Sequence, residues 1–247
     1  MAPGHVAPGL WRLGSDFINF YALEEDGRLT IVDAGAAGFG KTLEADLAAA
    51  GFSLHDVDAV VLTHSDSDHT GVAPLLQRGG ARVLIHTADE GTLRHPRPKA
   101  GEARPSRLAR EAWRPALWRM MVTMARAGAA KFPKVEGAET YSDGDILPVP
   151  GRPRVIHTPG HTPGNSAIHF EERGLLFAGD TLCTLNPLTR SRGPQLMPRA
   201  FNVSNEQARG SLARIEGLEA DLVLVGHGEP WHERPRAAVA RAQAALG

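Results

Sequence analysis

The run Thr63-His64-Ser65-Asp66-Ser67-Asp68-His69 comes straight after the apolar tetrad Ala59-Val60-Val61-Leu62. Two imidazoles and two carboxylates thus leave a short buried strand together. They are the donor types a divalent cation takes, although a hydrated turn can hold the same residues. Three further positions tip the balance. His161 lies in Thr158-Pro159-Gly160-His161-Thr162-Pro163-Gly164, just past the strand Arg154–Ile156. Asp180 follows Leu175-Leu176-Phe177-Ala178-Gly179, and His227 sits in Gly226-His227-Gly228 after Leu222–Val225. Each stands where an apolar strand gives way to Gly or Pro. Strand ends on one edge of a sheet sandwich can converge, so the candidate metal ligands are His64, Asp66, Asp68, His69, His161, Asp180 and His227.

Working outward, Phe17–Leu23 and Leu29–Val32 read as strands joined through Asp26-Gly27, a hairpin signal. Gly40–Ala50 reads as a helix stopped by Gly51, and Arg82–Ile85 as another strand. Short strands then recur at Asp145–Val149, Arg154–Ile156, Ala167–Phe170 and Leu175–Ala178. A helix opens at Ser204, with Gln207 three residues on, and ends at Gly217; Pro235–Leu246 is the last helix. Two strand groups, each followed by helices, predict an α+β fold with two sheets packed face to face and helices outside. No linker separates domains, so residues 1–247 are expected to form one.

Composition narrows the chemistry. Eleven histidines against one cysteine direct a metal search to His and Asp, and exclude a disulfide framework or a Cys-based zinc site. A formal net charge of −1 is close to neutral. The amino terminus MAPGHVAPGLWRLG has no basic stretch leading into an apolar run, and no stretch approaches a membrane span. A soluble, cytoplasmic protein is the expectation.

Arg94–Arg126 stands apart, with nine basic residues (Arg94, Arg97, Lys99, Arg104, Arg107, Arg110, Arg114, Arg119, Arg126) against Glu102 and Glu111. Trp113, Leu117, Met120, Met121 and Met124 share helical spacing, and Pro115 places a helix start or kink near Arg114. This reads as a helical basic insertion at about 94–130. Three roles stay open for it: packing on the domain, walling a pocket that accepts an apolar acyl group, or touching an anionic membrane or acidic partner.

The ordered set from His64 to His227 resembles the metallo-β-lactamase superfamily, whose signature is H-x-H-x-D-H followed by a distant His, an Asp and a final His. The resemblance covers nearly the whole chain and includes Asn19 and Asp33. It implies an αββα four-layer sandwich and one or two metal ions acting on esters, thioesters, lactones, lactams or phosphodiesters. Carried over by position, His64 and His161 match ligands of a first metal. Asp68, His69 and His227 match those of a second, Asp180 bridges, and Asp33 is a supporting acid. Asp66 stands where the family usually has its second His. It is a harder, more negative donor, so manganese or iron become alternatives to zinc.

The resemblance also implies a hydrolytic mechanism in which the metals activate a water and Asp68 orients it and passes a proton to the leaving group. A small ester, thioester or lactone is the expected substrate, with no nucleic acid partner. The alternatives are a phosphodiesterase or nuclease of the same fold, a non-catalytic binding relative, and an iron-dependent oxygen-reducing or dioxygenase member. His157 is expected to support or pack, His86 to be structural, and Cys183 to be a small core or loop residue.

Overall fold

Alternation along the strands assigns each side chain to one of two faces. In the computed structural model, which describes residues 3–95, 105–132 and 134–246, those faces build a helix–sheet–sheet–helix sandwich. The first sheet runs β1 (Gly4–Ala7), β2 (Leu10–Gly14), β3 (Asn19–Glu25), β4 (Arg28–Val32), β5 (Val57–Val61), β6 (Arg82–His86) and β7 (Glu139–Tyr141), neighbours in chain order. It is antiparallel up to β4 and parallel from β4 to β7. The second sheet takes β8 (Arg154–His157), β9 (Ser166–Phe170), β10 (Leu175–Gly179) and, beyond the small hairpin β11 (Cys183–Leu185) and β12 (Arg192–Gln195), β13 (Leu222–Val225) in the order β13-β10-β9-β8.

The helices are α1 (Leu43–Ala49), α2 (Ser67–Thr70), α3 (Ala73–Arg78), α4 (Thr87–Arg94), α5 (Pro105–Ala109), α6 (Pro115–Arg126), α7 (Asn205–Glu216) and α8 (Pro235–Ala244). Leu29 and Ile31 of β4 meet Leu43 and Leu47 of α1 and Leu76 of α3 on the outside of the first sheet. Val32, Val61 and Tyr21 turn the other way and meet Ile168, Phe177 and Leu224 between the sheets. Leu176, Val223 and Val225 face out again, against Leu212 and Ile215 of α7 and Val239 of α8. A one-residue slip in β10 or β13 would exchange these two cores.

The Asp145–Val149 stretch expected as a strand forms only a single bridge, from Ile146 to Arg154. Pro148 and Pro150 remove the backbone donors a ladder needs. The amino-terminal strands β1 and β2 were not expected. Of the basic insertion, residues 96–104, with Arg97, Lys99, Glu102 and Arg104, lie outside the described residues; α5 and α6 occupy part of the rest. The start of α6 at Pro115 follows from the fixed φ of proline.

Strand direction delivers the loops. β8, β10 and β13 run one way in the second sheet, and β4, β5 and β6 share a direction in the first. Buried bonds lock the ends together: Tyr141 OH donates to Leu62 O at 2.6 Å, Ser166 N–H to Thr63 O at 2.9 Å, and Asn19 Nδ2 to Val225 O at 3.0 Å. Asp89, on α4, joins two loops that lie far apart in sequence. It accepts from Ser65 N at 3.0 Å, Thr162 Oγ1 at 2.7 Å and Gly164 N at 2.7 Å. Asp89→Ala strands these donors, so it should destabilise the fold by about 3 kcal/mol, a fall of about 6–12 °C in Tm for a chain of this size. The neighbouring change Glu90→Ala, which removes only the i,i+4 ion pair with Arg94, serves as the control and should cost about 0.5 kcal/mol or less. Thermal unfolding of both variants checks the difference.

Candidate metal centre

Histidine offers two nitrogens, and the partner of one decides where the other points. His227 Nδ1 lies 2.7 Å from Phe17 O, a carbonyl that only accepts, so Nδ1 carries the proton and Nε2 a lone pair. His69 Nδ1 meets Asp33 Oδ2 at 2.9 Å. His161 Nδ1 meets Asn202 Oδ1 at 3.2 Å, while Asn202 Nδ2 donates to Met197 O and Asn205 Oδ1 and so fixes the amide. The Thr63 hydroxyl lies 2.9 and 3.0 Å from the two Asp33 oxygens and 3.0 Å from His64 Nδ1. Because the hydroxyl proton goes to Asp33, His64 Nδ1 donates to Oγ1. All four Nε2 atoms are thereby left as acceptors of a cation.

These nitrogens converge with three carboxylates. His161 Nε2 lies 3.1 Å from Asp66 Oδ2 and 3.2 Å from Asp180 Oδ2; His64 Nε2 is 3.6 Å from Asp66 Oδ2. His227 Nε2 lies 3.5 Å from Asp68 Oδ2 and 3.4 Å from Asp180 Oδ2; His69 Nε2 is 3.5 Å from Asp180 Oδ1. Donors around one tetrahedral ion, each at about 2.0–2.2 Å from it, stand about 3.3–3.6 Å apart. Two triads, His64/Asp66/His161 and Asp68/His69/His227, each fit within 4.8 Å, and Asp180 touches both sets. His64 Nε2, His69 Nε2 and Asp180 Oδ1 are buried with no hydrogen-bond partner. Orphaned buried donors and acceptors are rare and call for a ligand. Residues and geometry fit a pair of divalent ions.

The electrostatics agree. Burial disfavours charge on His69, yet Asp33 and then Asp180 outweigh it and push the imidazole up to about 10. Burial likewise opposes a proton on His227, and Asp180 again overrides it. Burial resists ionisation of Asp180, but His227, His69 and His161 hold it well below the usual carboxylate range. The cage therefore draws positive charge inward, which a metal supplies in exchange for protons.

The local backbone is shaped to the cage. Asp33 takes φ +61, a left-handed conformation that Asp tolerates better than most residues. A Cβ on Gly226 would lie 2.4 Å from His69 Cε1 and 2.8 Å from Asp180 Oδ1. Above the cage sits a cavity of about 100 Å³ lined by Asp66, Asp68, His161, Asp180 and His227 below and by Phe17, Met120, Met124, Met197 and Phe201 at the sides. Of the expected helical stripe, Met120 and Met124 reach this cavity and Leu117 is buried without lining it. Trp113 precedes the helix and is 72% exposed, and Met121 is 45% exposed. The basic segment is pinned over the cage: Ser67 Oγ donates to Ala129 O at 2.6 Å, and Gly38 N to Ala127 O at 2.9 Å.

Asn202, Thr63, Asp89 and the Phe17 carbonyl escaped the sequence reading. Only Thr63, inside the ligand run, stood where a sequence signal existed. His157 stacks on His86 at 4.1 Å between ring centroids, and His86 Nδ1 accepts from Ala88 N, so both support the structure. Cys183 is fully buried.

The chain is 25% identical over 228 residues to the probable metallo-hydrolase YqjP of Bacillus subtilis, covering 82% of this chain and 64% of that one. It is 29% identical over 203 residues to a hydroxyacylglutathione hydrolase of Cereibacter sphaeroides, covering 81% and 58%. It thus spans less than two thirds of either relative's length. Among solved structures, the metallo-beta-lactamase family protein TTHA1429 of Thermus thermophilus superposes with a TM-score of 0.68 at 28% identity, over 97% of this chain and 81% of that one. The family profile described as the metallo-beta-lactamase superfamily matches residues 13–227. With the αββα layers and the converged His and Asp side chains, that match makes the chain a member of the metallo-beta-lactamase superfamily.

Proposed function

We propose that the protein is a metal-dependent hydrolase of a small ester, thioester or lactone. The observation that carries this reading is the set of buried, orphaned donor atoms facing one another beneath a small apolar cavity. His64, Asp66 and His161 would hold one divalent ion and Asp68, His69 and His227 another, with Asp180 between them. When bound, such ions polarise a carbonyl and lower the pKa of water. The chain's own residues do the rest. Asp68 faces the cavity, where its carboxylate holds the proton leaving the attacking water and returns it to the leaving group. Met120, Met124, Phe17, Met197 and Phe201 enclose the acyl portion and exclude bulk water. A relative named hydroxyacylglutathione hydrolase supports a thioester among the candidates. Among the described residues, the side chains around the cavity above the cage are apolar, which favours an acyl group over a phosphodiester.

Chelation should abolish ester and thioester hydrolysis, and return of zinc, manganese or iron should restore it; full activity in demetallated protein would overturn the assignment. Asp180→Ala should lower the stoichiometry of both ions together, as read by metal analysis. Asn202→Ala should weaken metal affinity or activity about 10- to 100-fold, since it frees His161 Nδ1.

Asp66 is expected to set the metal preference. Asp66→His should shift selectivity towards zinc, and Asp66→Ala should empty the His64/His161 site first. Unchanged stoichiometry and selectivity in both variants would restrict Asp66 to hydrogen bonding.

Met120→Ala and Met124→Ala should change KM or the preferred acyl length at constant metal content, because they widen the wall and not the cage. Identical kinetics across an acyl series in wild type and both variants would remove the methionines from the substrate site.

A further inference from the structure

Helix α6 has two apolar faces, and the cavity uses only one. Leu117, Met120 and Met124 recur at helical spacing and point inward; Leu117 is buried, and both methionines pack on the cluster of Phe17, Ile18, Ala36, Ala129 and Leu185. The opposite arc carries Trp118, 56% exposed, with Met121 and Val122 beside it, both nearly half exposed. Trp118 Nε1 donates to Ala112 O at 2.8 Å, so the indole's polar atom is satisfied and the ring remains as an apolar surface. Exposed Trp113 stands just ahead of the helix, with the Arg114 guanidinium 4.4 Å from its ring centroid. Neighbouring exposed apolar side chains rimmed by charge are the composition of an interaction surface.

Charge selects the occupant. Among the described residues 105–132 there are five arginines and one lysine against one acid, Glu111, which is paired with Arg114 at 2.5 Å. Arg119 and Arg126 are exposed and flank Val122 at i−3 and i+4 on the same face. Tryptophan and aliphatic side chains beside arginines suit the headgroup region of a bilayer, where rings and methyl groups enter the acyl boundary and guanidinium groups meet phosphate and carboxylate. A second copy of this chain would set like charges against each other across a two-fold axis. We propose that the outward face of α6 docks on an anionic lipid membrane, lying on its surface. Among the described residues no helix is long and apolar enough to cross a membrane.

Flotation of the purified full chain with vesicles tests this without turnover, so its outcome is independent of what the cavity hydrolyses. Binding to phosphatidylcholine vesicles with about 30% phosphatidylserine should exceed binding to phosphatidylcholine alone about ten-fold or more, and should fall at high salt. The double variant Arg119→Glu/Arg126→Glu should lose this binding. Trp118→Ser/Val122→Ser should weaken it about ten-fold with Tm unchanged. Absence of vesicle binding, or equal binding to both vesicle types, overturns the proposal. So does a dimer that Trp118→Ser/Val122→Ser dissociates while vesicle binding persists. A single-stranded RNA oligonucleotide bound in preference to vesicles, unaffected by the Trp118 and Val122 changes, would reassign the patch to nucleic acid.

Discussion

Four carboxylates, those of Asp33, Asp66, Asp68 and Asp180, crowd around four imidazoles at one edge of the sandwich. Concentrated negative charge out of water is costly unless a counter-charge is held among it. Much of the structure is arranged around this constraint. The imidazoles lower the cost by drawing protons, which is why His69 holds its proton to about 10. They cannot do so and present lone pairs to a cation at once. A metal and a proton would therefore compete for the same Nε2 atoms, and His64 Nε2, His69 Nε2 and Asp180 Oδ1 lie buried without a hydrogen-bond partner.

Such a cage survives only if its members cannot relax apart. Each imidazole is held from behind by a group of a different kind: a carboxylate, a hydroxyl, an amide or a backbone carbonyl. Those groups belong in turn to separate segments, so no single element carries the site. Asp33 is the most connected, since it receives Thr63 N and Oγ1 on one oxygen and His69 Nδ1 on the other. Its left-handed φ is a local strain that the surrounding bonds outweigh. Gly226 shows the same tightness, because any side chain there would occupy the space of His69 and Asp180.

The convergence of these His and Asp side chains was legible in sequence because the donor types a cation takes recur at the ends of apolar strands. The sandwich was legible because strict alternation in β10 and β13 leaves apolar residues on both faces, which only a sheet covered on both sides can use. Of the supporting layer, only Asp33 was legible, through the family resemblance. Asn202 and Asp89 act through partners 41 and 73 residues away in sequence, and their immediate neighbours carry no pattern that points there. The stripe from Trp113 to Met124 was resolved only by the helix start at Pro115 and by which face met Phe17 and Ile18. Spacing groups residues on a helix but does not say which arc is covered. At 3.6 residues per turn, Met120 and Met121 are neighbours in sequence and point about 100° apart.

The division between cage and wall has a consequence for specificity. Cage residues are fixed by hydrogen bonds to buried backbone and side-chain groups, so a change in one disturbs several others. The wall is made of Met120, Met124, Met197, Phe17 and Phe201, drawn from separate connections and meeting the cavity mainly through dispersion contacts. Methionine adapts its shape at little cost, so a wall rich in it can conform to groups of differing outline above an unchanged cage. The wall is nevertheless not loose. Ser67, within the ligand run itself, donates to Ala129 just beyond α6. This bond couples the run to the end of α6, alongside the bond from Gly38 N to Ala127 O, so a shift of α6 is transmitted to Asp66 and Asp68 on either side of Ser67.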